Sequence, residues 1–409
     1  MPALADTAAR PTQAVILAGG RGTRMRPLTD SRPKAMIEFH GRPFLEYLIE
    51  LLRDQGFERV LLLLGYLPDV IRQHFGDGRR FGLHIDYSVS GADDLTVKRL
   101  QLAEHLLDPL FLLLYCDNYW PLQMTRLWAE FAADPVPAMV TVYRNRDGYT
   151  RDCLIVDDSG YVRVFDRSRT TPGLAGVEIS YALVQKPVIT RLLGQADALF
   201  EEAVYPSLAA AGRLRAHVSD HRYYSVGSLA RLPLTDAFLA RRPTVLLDRD
   251  GVINRKPPRA TYVRSRAEFK WLPGVKEALR HFAEAGFQVI VISNQAGVGR
   301  GAMTEDALLD LHVWMRGEIE HAGGRLDGIY CCPHDWDTGC ECRKPKPGLL
   351  FQAQRDFHLD LTRTPFIGDD DRDAAAAAEA GCAFTRVSDD VSLLDAARDI
   401  VARAGGVLA

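Results

Sequence analysis

The chain has 409 residues, well above the roughly 150 of one ordinary domain, so two or three folding units are expected. Hydrophobic residues make up 47% and charged residues 25%, which are ordinary globular values that argue against disorder or a fibrous repeat. Fifty Lys and Arg residues nearly balance 53 Asp and Glu residues, and the net charge of −3 argues against a nucleic-acid partner.

The amino-terminal region is not expected to act as a targeting signal. Its longest apolar run, Ala14–Ala18, is far shorter than the roughly 20 residues of a membrane-spanning helix. Residues Met1–Thr12 lack the apolar core of a signal peptide and are predicted to form a loose tail. These features predict a soluble, cytoplasmic protein without a membrane partner.

Short apolar runs suited to buried parallel strands alternate with stretches of helical periodicity along the whole chain. The predicted strands are Ala14–Leu17, Val60–Leu64, Phe111–Leu114, Met139–Val142, Thr244–Leu247, Gln288–Ile292, Gly328–Tyr330 and Thr364–Ile367. This alternation predicts the α/β class, with two Rossmann-like α/β/α domains and mainly parallel sheets. Pro243 cannot extend a helix, so the domains are placed at 12–238 and 243–405.

A glycine-rich loop follows the first predicted strand. It contains Gly19, Gly20, Gly22 and Thr23, and the basic residues Arg24 and Lys34 follow it. Glycines after a strand let backbone N–H groups approach phosphates, and the two cations can neutralise a triphosphate as pyrophosphate leaves. The pattern predicts a nucleotide-binding site at this edge of the sheet.

The string from Gly19 to Met36 resembles the sugar-1-phosphate nucleotidyltransferases over roughly residues 13–230. The resemblance implies catalytic roles for Arg24 and Lys34 and substrate binding by the loop residues. It also implies a Mg²⁺-binding role for Asp117, which follows the strand Phe111–Leu114. The expected partner is a nucleoside triphosphate, with GTP favoured by precedent in the family.

Three later segments depart from that family's pattern. Leu95–Arg99 stands where the family has glycines, and Val97 and Lys98 are expected to put side chains into the space that glycines leave open. Asp166-Arg167-Ser168 replaces Glu-Lys-Pro, although Arg167 could still bind phosphate. Ser225 replaces an aspartate metal ligand, and a hydroxyl binds Mg²⁺ poorly. Three interpretations stay open: a catalytic domain, a domain that binds a nucleotide sugar without turnover, and a structural domain.

Two carboxylates, Asp248 and Asp250, directly follow the predicted strand Thr244–Leu247. Side chains two apart on extended backbone face the same side, so one carboxylate can attack phosphorus while the other handles the leaving-group proton. Like charges this close call for a cation, and Mg²⁺ prefers oxygen ligands. A solvated turn is the plain structural alternative for this motif alone.

Three more motifs follow in chain order and make the plain alternative untenable. They are Ser293-Asn294-Gln295, Arg343-Lys344-Pro345 and the acidic run Asp369–Asp373. Together the four resemble the haloacid dehalogenase (HAD) superfamily over residues 244–388, here without room for a large cap. The resemblance implies that Asp248 is the nucleophile, Asp250 the general acid/base, and that Ser293 and Lys344 hold the phosphate. Mg²⁺ is assigned to Asp248, the backbone carbonyl of Asp250, and Asp369.

Four of the seven cysteines fall between Cys331 and Cys342, which indicates a metal site more than disulfides. Three thiols and an imidazole, from Cys332, His334, Cys340 and Cys342, suit structural tetrahedral Zn²⁺. Cys331 is the spare thiol and the alternative to its neighbour. Cys116, Cys153 and Cys382 are predicted to be buried small hydrophobes.

The cysteine loop and the segment Asn294–Gly301 narrow the resemblance to the branch containing D-glycero-D-manno-heptose 1,7-bisphosphate 7-phosphatase and histidinol-phosphate phosphatase. It implies substrate binding by Asn294, Arg300 and Arg343. The favoured hypothesis is a bifunctional enzyme that dephosphorylates a phosphorylated heptose and then activates it with a nucleoside triphosphate. The alternatives are a histidinol-phosphate phosphatase with an unrelated first domain, and a phosphatase regulated by a non-catalytic nucleotide-sugar sensor.

Overall fold

A computed structural model describes residues 9–405, and contacts within it divide the chain into two units between Leu239 and Ala240. Most of the predicted tail, residues 1–8, lies outside the described residues. The carbonyl of Thr12 already accepts hydrogen bonds from the backbone of Glu58 and Arg59. No helix within residues 9–405 has both the length and the apolar character needed to cross a membrane.

Among its described residues unit 1 has thirteen strands, of which seven form a main sheet and six form three two-stranded sheets. Its strands are β1 (Gln13–Ala18), β2 (Glu38–Phe39), β3 (Arg42–Pro43), β4 (Arg59–Leu64), β5 (His84–Val89), β6 (Leu110–Tyr115), β7 (Asn118–Tyr119), β8 (Ala138–Tyr143), β9 (Leu154–Val156), β10 (Val162–Phe165), β11 (Val177–Gln185), β12 (Leu214–Ser219) and β13 (Tyr224–Ser225). The order in the main sheet is β12-β8-β11-β6-β1-β4-β5, and only β11 runs antiparallel to its neighbours.

Alternation along the strands sends side chains into a core on each face of this sheet. In β1, Ala14 and Ile16 join one core, whereas Val15 and Leu17 join the other. The covering helices are α1 (Phe44–Asp54), α2 (Pro68–Phe75), α3 (Thr96–Ala103), α4 (Met124–Ala133), α5 (Lys186–Thr190), α6 (Phe200–Ala210) and α7 (Leu232–Leu239). Because both faces are covered, the polar residues that follow the strands lie at the sheet's edge.

Unit 2 has a five-stranded, wholly parallel sheet in the order β16-β15-β14-β17-β18. Its strands are β14 (Thr244–Leu247), β15 (Gln288–Asn294), β16 (Gly328–Cys332), β17 (Phe366–Gly368) and β18 (Phe384–Arg386). Its helices are α8 (Val275–Glu284), α9 (Glu305–His321), α10 (Gly348–Phe357), α11 (Asp371–Ala380) and α12 (Leu393–Gly405). The chain reverses its winding around the central strand β14, and ligands bind at such a switch point in open α/β sheets.

The predicted α/β class with mainly parallel sheets is confirmed. In the two main sheets, sequence periodicity did not identify β5, β11, β12 or β18; β5, β12 and β18 are edge strands, and β11 lies inside its sheet. The last predicted strand begins later, at Phe366, because Thr364 ends a 3₁₀ turn and its hydroxyl bonds the carbonyl of Asp360.

Candidate functional site

The carboxyl ends of the strands in unit 2 converge on the side chain of Lys344. Its ammonium nitrogen lies 2.9 Å from Asp248 Oδ1 and 2.6 Å from Asp373 Oδ1, and it donates to the carbonyl of Ile292 at 2.9 Å. The Lys344 side chain is only 2% exposed. Burial lowers its pKa, but the two carboxylates outweigh burial and the pKa stays above the ordinary value. A permanent positive charge therefore lies beside Asp248.

Three carboxylates, from Asp248, Asp369 and Asp373, offer oxygens that all lie within 4.8 Å of one another. Burial raises the pKa of Asp248, and Lys344 opposes that rise. Hard carboxylate oxygens are the ligands that Mg²⁺ prefers, so the donor set fits this ion. The sequence had not singled out Asp373, whose carboxylate also accepts from the backbone of Asp369 and Asp370. Asp373 therefore belongs to the candidate metal-binding group and also caps the start of α11.

Gly251 lets this cluster close. Its φ is +99°, and a Cβ at this position would lie 2.4 Å from the carboxyl carbon of Asp369. Lys256 reaches the same cluster, with its nitrogen 2.7 Å from Asp369 and 3.1 Å from Asp370. The acidic run is therefore partly neutralised by a lysine that the sequence motifs do not contain.

The Asp250 carboxylate lies outside this group of three. Both of its oxygens accept from Arg249 Nη2 at 2.9 Å, and it also accepts from Asn254 and Gln295, each at 2.8 Å. Burial raises the pKa of Asp250, but the charge of Arg249 and these hydrogen bonds lower it below the ordinary value. The predicted acid/base is thus held as a carboxylate by four hydrogen bonds.

Two predicted phosphate-site residues differ in their surroundings. Ser293 is buried beside the cluster, and its hydroxyl accepts from Gln295 at 2.8 Å. The Asn294 amide instead exchanges two hydrogen bonds of 3.0 Å with the backbone of Lys344. Asn294, predicted to bind substrate, therefore aligns the loop that carries Lys344, and its amide is already occupied.

A cavity of about 540 Å³ opens over these groups. Asp248, Asp250 and Ser293 form its floor, and Arg343, Trp336 and residues 256–263 line its sides. Arg343 Nη1 is buried without a hydrogen-bond partner, so it has a donor available for an anion. Arg300 does not line this cavity: it pairs with Asp335 at 3.0 Å and lies 4.5 Å from the Trp336 ring centre.

The four predicted zinc ligands come together. Cys332 Sγ lies 3.6 Å from both Cys340 Sγ and His334 Nδ1, and Cys342 Sγ lies 3.5 Å from Cys340 Sγ and 3.2 Å from His334 Nδ1. A tetrahedral site with zinc–sulfur bonds of about 2.3 Å needs sulfurs about 3.8 Å apart. The donor set and its spacing fit zinc, and Cys331 lies outside the group.

The cysteine loop packs closely on its neighbours. Gln295 and Gly299 donate backbone hydrogen bonds of 2.8 Å to the carbonyls of Cys332 and Pro333. A Cβ at Gly299 would lie 2.6 Å from Asp335 N, and one at Gly348 would lie 2.3 Å from the Glu341 carbonyl. The loop is therefore fixed against the segments that carry Ser293 and Lys344.

In unit 1 the predicted nucleotide loop leads to an ion pair. Gly19, Gly20 and Gly22 follow β1, a 3₁₀ turn covers Thr23–Met25, and Lys34 Nζ lies 2.5 Å from Asp117 Oδ2. Burial raises the pKa of Asp117, but the charges of Lys34 and Arg24 lower it below its usual range. Arg24 is exposed, and its charge acts on Asp117. Three predicted residues, Arg24, Lys34 and Asp117, therefore lie in one neighbourhood.

The prediction that the side chains of Val97 and Lys98 enter the space left open by glycines in the family is wrong. Val97 is buried in a hydrophobic core, and Lys98 faces solvent while its backbone binds Asp197. The intruding residue is Arg99, 3% exposed, whose guanidinium donates to the carbonyls of Gly19 and Leu64 and to other groups of the 90–94 loop. A Cβ on Gly19 would lie 2.2 Å from that guanidinium. Helical periodicity points position 99 inward.

The acceptor side of unit 1 is also occupied. Arg167 pairs with the buried Glu201 and lies 3.4 Å from Glu202, so its fork is already engaged. Ser225 stands beside Asp117, since Val226 N donates to the Asp117 carbonyl at 2.9 Å. Its hydroxyl accepts from Gly227 N at 2.9 Å. Within residues 9–405, no group of three or more metal-binding side chains forms around Asp117.

Glu178 brings a second carboxylate near Asp117. It precedes an irregular turn of β11 in which Ser180 has a φ of +69°, and its Oε1 accepts from Ser180 N at 2.6 Å. Burial raises the pKa of Glu178 to about 7, and the charge of Asp117 contributes to the rise. Alternation along a strand does not reveal such an irregularity, so the sequence alone did not place Glu178 at this site.

Comparisons with known proteins match unit 1 and unit 2 to different families. Residues 13–166 match the family model described as nucleotidyl transferase, and residues 341–408 match the model described as HAD-hydrolase-like. The D-glycero-beta-D-manno-heptose-1,7-bisphosphate 7-phosphatase of Rhodopseudomonas palustris is 40% identical over 148 residues, which cover 34% of this chain and 81% of that protein. Its counterpart from Yersinia pestis is 39% identical over 148 residues, covering 34% and 77%.

One solved structure bears on the fold of unit 1. A protein from Bacillus anthracis assigned as a glucose-1-phosphate thymidylyltransferase is 19% identical, with a TM-score of 0.50. The match covers 56% of this chain and 95% of that one. At this identity the likeness shows the fold alone.

The sulfur cluster predicts which thiol binds metal. We expect the Cys332→Ala protein to lose about one zinc per chain and to unfold at a lower temperature, because structural zinc contributes folding free energy directly. The Cys331→Ala protein should keep its zinc, since Cys331 lies outside the cluster. Metal content by plasma mass spectrometry and thermal unfolding would check both. Equal zinc loss in the two variants would contradict the ligand assignment.

Proposed function

The chain belongs to the D-glycero-beta-D-manno-heptose-1,7-bisphosphate 7-phosphatase family, and on that premise we propose that unit 2 removes the 7-phosphate of a heptose 1,7-bisphosphate. The observation that carries the proposal is the buried Asp248–Lys344–Asp373 cluster at the switch point of the sheet. It supplies a nucleophile and a fixed cation in one polar crevice. The reaction is phosphomonoester hydrolysis through an aspartyl-phosphate.

In the first step an Asp248 oxygen attacks phosphorus while the bond to the sugar oxygen breaks. Asp250 must first take up a proton from solvent, because its pKa lies below the ordinary value; it then gives that proton to the sugar oxygen, and the sugar leaves as an alcohol. Lys344 balances the negative charge of the phosphoryl oxygens because its ammonium is fixed and dehydrated. Ser293 offers a hydroxyl to the same oxygens.

In the second step Asp250, now a carboxylate, takes a proton from water, and the water oxygen attacks phosphorus. The Asp248–phosphorus bond breaks, and phosphate leaves. Mg²⁺ held by Asp248, Asp369 and the backbone of Asp250 would neutralise charge on the transferring group. Asp373 orders this site through Lys344 and the backbone of Asp369.

The substrate's sugar occupies the cavity above the cluster in this proposal. Zinc bound by the cysteine loop would rigidify the wall that presents Trp336 and leads to Arg343. The free Nη1 donor of Arg343 suits an anionic group of the substrate. Histidinol phosphate, the alternative substrate, carries a cationic amine and has less use for this arginine.

For unit 1 we propose transfer of a nucleotidyl group to heptose 1-phosphate with release of pyrophosphate. The sugar 1-phosphate oxygen forms the new bond to the α-phosphorus, and the bond to pyrophosphate breaks. Lys34 and Arg24 neutralise the triphosphate, and Asp117 would hold the metal. GTP is the first triphosphate to test, as the family precedent favours it. The product of unit 2 belongs to the substrate class of unit 1.

A second candidate for unit 1 is a nucleotide-sugar-binding module without turnover. Ser225 in place of a carboxylate, its hydroxyl engaged by Gly227, and the engaged fork of Arg167 favour it. Tight binding of a nucleotide sugar that alters phosphate release, with no pyrophosphate from any triphosphate, would establish this candidate.

The phosphatase proposal predicts that Asp248→Asn lowers the rate of phosphate release from heptose 1,7-bisphosphate by a factor on the order of 10³ or more, because the nucleophile is lost. The matched control is Asp371→Asn, because the Asp371 side chain is 97% exposed. Phosphate release and circular dichroism of both proteins would be measured. Substantial activity in the folded Asp248→Asn protein would disprove the nucleophile.

The two activities should separate by mutation. Asp117→Asn is expected to lower pyrophosphate release with heptose 1-phosphate and GTP by about 10² or more, because the metal and Lys34 lose their charged partner. Phosphate release should stay at the wild-type level. Asp69→Asn, at an exposed position of α2, is the control. Each nucleoside triphosphate would be supplied in turn, and wild-type protein inert with all of them would favour the binding module.

A further inference from the structure

The residue between the two catalytic carboxylates is a buried arginine. Arg249 is 1% exposed, and its Nη2 donates to both oxygens of Asp250 at 2.9 Å. Asp250 directly accepts from two further side chains, Asn254 and Gln295. A guanidinium donates in a planar fork, so its orientation dictates where the Asp250 carboxylate lies.

The other arm of this guanidinium meets a buried histidine. His312, on α9, has its Nε2 3.2 Å from Arg249 Nη1 and is 7% exposed. Arginine has no acceptor, so Nε2 must accept and the ring must carry its proton on Nδ1. That Nδ1 lies 4.0 Å from Cys331 Sγ, a weak acceptor on β16. The ring is thereby held between β16 and the nucleophile loop.

The electrostatics agree with this tautomer. Burial, and after it the neighbouring charge of Arg249, lower the pKa of His312 to about 3. Arg316 also disfavours the charged ring, and Asp250 favours it without prevailing. His312 is therefore neutral throughout the physiological range and serves as a hydrogen-bond acceptor.

Without His312 the guanidinium would be under-satisfied. Arg249 Nε is already buried without a partner, so loss of the Nη1 acceptor would leave a second part of a buried cation unpaired. The guanidinium would then turn towards other acceptors or water. Because Asp250 follows the fork, a displacement of about 1 Å in a catalytic group can lower a rate by about 10².

We propose that His312 and Arg249 are positioning residues that hold the Asp250 carboxylate in line for proton transfer to the leaving group. This rests on the proposed phosphatase function and adds to it a reason for the arginine between the two aspartates. Neither residue contacts the transferring phosphoryl group in this assignment. Their effect is confined to the steps in which Asp250 gives or takes a proton.

The test compares His312→Leu with His312→Gln, whose side-chain oxygen can replace Nε2 as an acceptor. The matched control is His321→Leu, the same change at an exposed position of the same helix. For each protein kcat/KM would be measured with heptose 1,7-bisphosphate, whose alcohol leaving group needs a proton, and with p-nitrophenyl phosphate, whose phenolate does not. Thermal unfolding would be recorded alongside.

We expect His312→Leu to lower kcat/KM for the sugar phosphate by about 10- to 100-fold, with a loss below about threefold for the aryl phosphate. His312→Gln should recover most of the loss. Equal losses on both substrates, no loss at all, or a glutamine variant no better than leucine would overturn the proposal. If the leucine variant does not fold, Arg249→Lys keeps the charge without the fork and should show the same substrate-dependent loss.

The two proposals fail in different ways. Wild-type protein that hydrolyses the aryl phosphate and another alkyl phosphate, but not the heptose bisphosphate, would refute the substrate and leave the positioning role to be measured on that alkyl ester. Wild-type activity on heptose bisphosphate with unaffected His312 and Arg249 variants would refute only the positioning role.

Discussion

The buried ammonium of Lys344 is the interaction on which the phosphatase unit depends. It pairs with Asp248 after β14 and Asp373 on α11, and it donates to the Ile292 carbonyl in β15. Removing one partner of a buried charge group costs several kcal/mol because it leaves an uncompensated charge, typically about 3–5. The contacts that hold these strand ends together therefore also orient the carboxylate of Asp248, the proposed nucleophile. Lys344 therefore contributes both to the stability of unit 2 and to its proposed chemistry.

Asp250 is organised by a separate network, and the contrast is informative. Asp248 lies against the buried Lys344 ammonium, in the group of three carboxylates whose oxygens fit Mg²⁺. Asp250 lies outside that group and is fixed by arginine and amide donors. Two carboxylates two residues apart thus have different surroundings, and their pKa values move in opposite directions. In the proposed mechanism this difference lets Asp248 act as the nucleophile while Asp250 transfers protons.

The sequence was sufficient for the α/β class and for the strand-end motifs, because strand ends of a parallel sheet share one edge. It also indicated four candidate zinc ligands, which the structure brings together, because their types and spacing suit a tetrahedral site. It could not indicate which polar side chains already have partners. Asn294 and Arg167 are engaged within the protein. Lys256 and His312 reach the site from positions that no motif marks. These contacts are long-range, and one-dimensional spacing does not encode them.

Unit 1 has the glycine loop of the nucleotidyltransferases, but the charged groups around the loop differ from those that the resemblance implies. The Arg99 guanidinium donates to the carbonyls of Gly19, after β1, and Leu64, at the end of β4, so it fills the space in which the sequence led us to expect the side chains of Val97 and Lys98. Its buried positive charge lies next to a loop that would receive phosphates, and Lys34 and Arg24 add to it. On the opposing side, Asp117 has Glu178 nearby but Ser225 beside it. Cations thus stand where phosphates would bind, while a serine stands where the family has a metal-binding aspartate. The choice between nucleotidyl transfer and binding alone therefore depends on whether Asp117 and its neighbours can hold the metal without that second carboxylate.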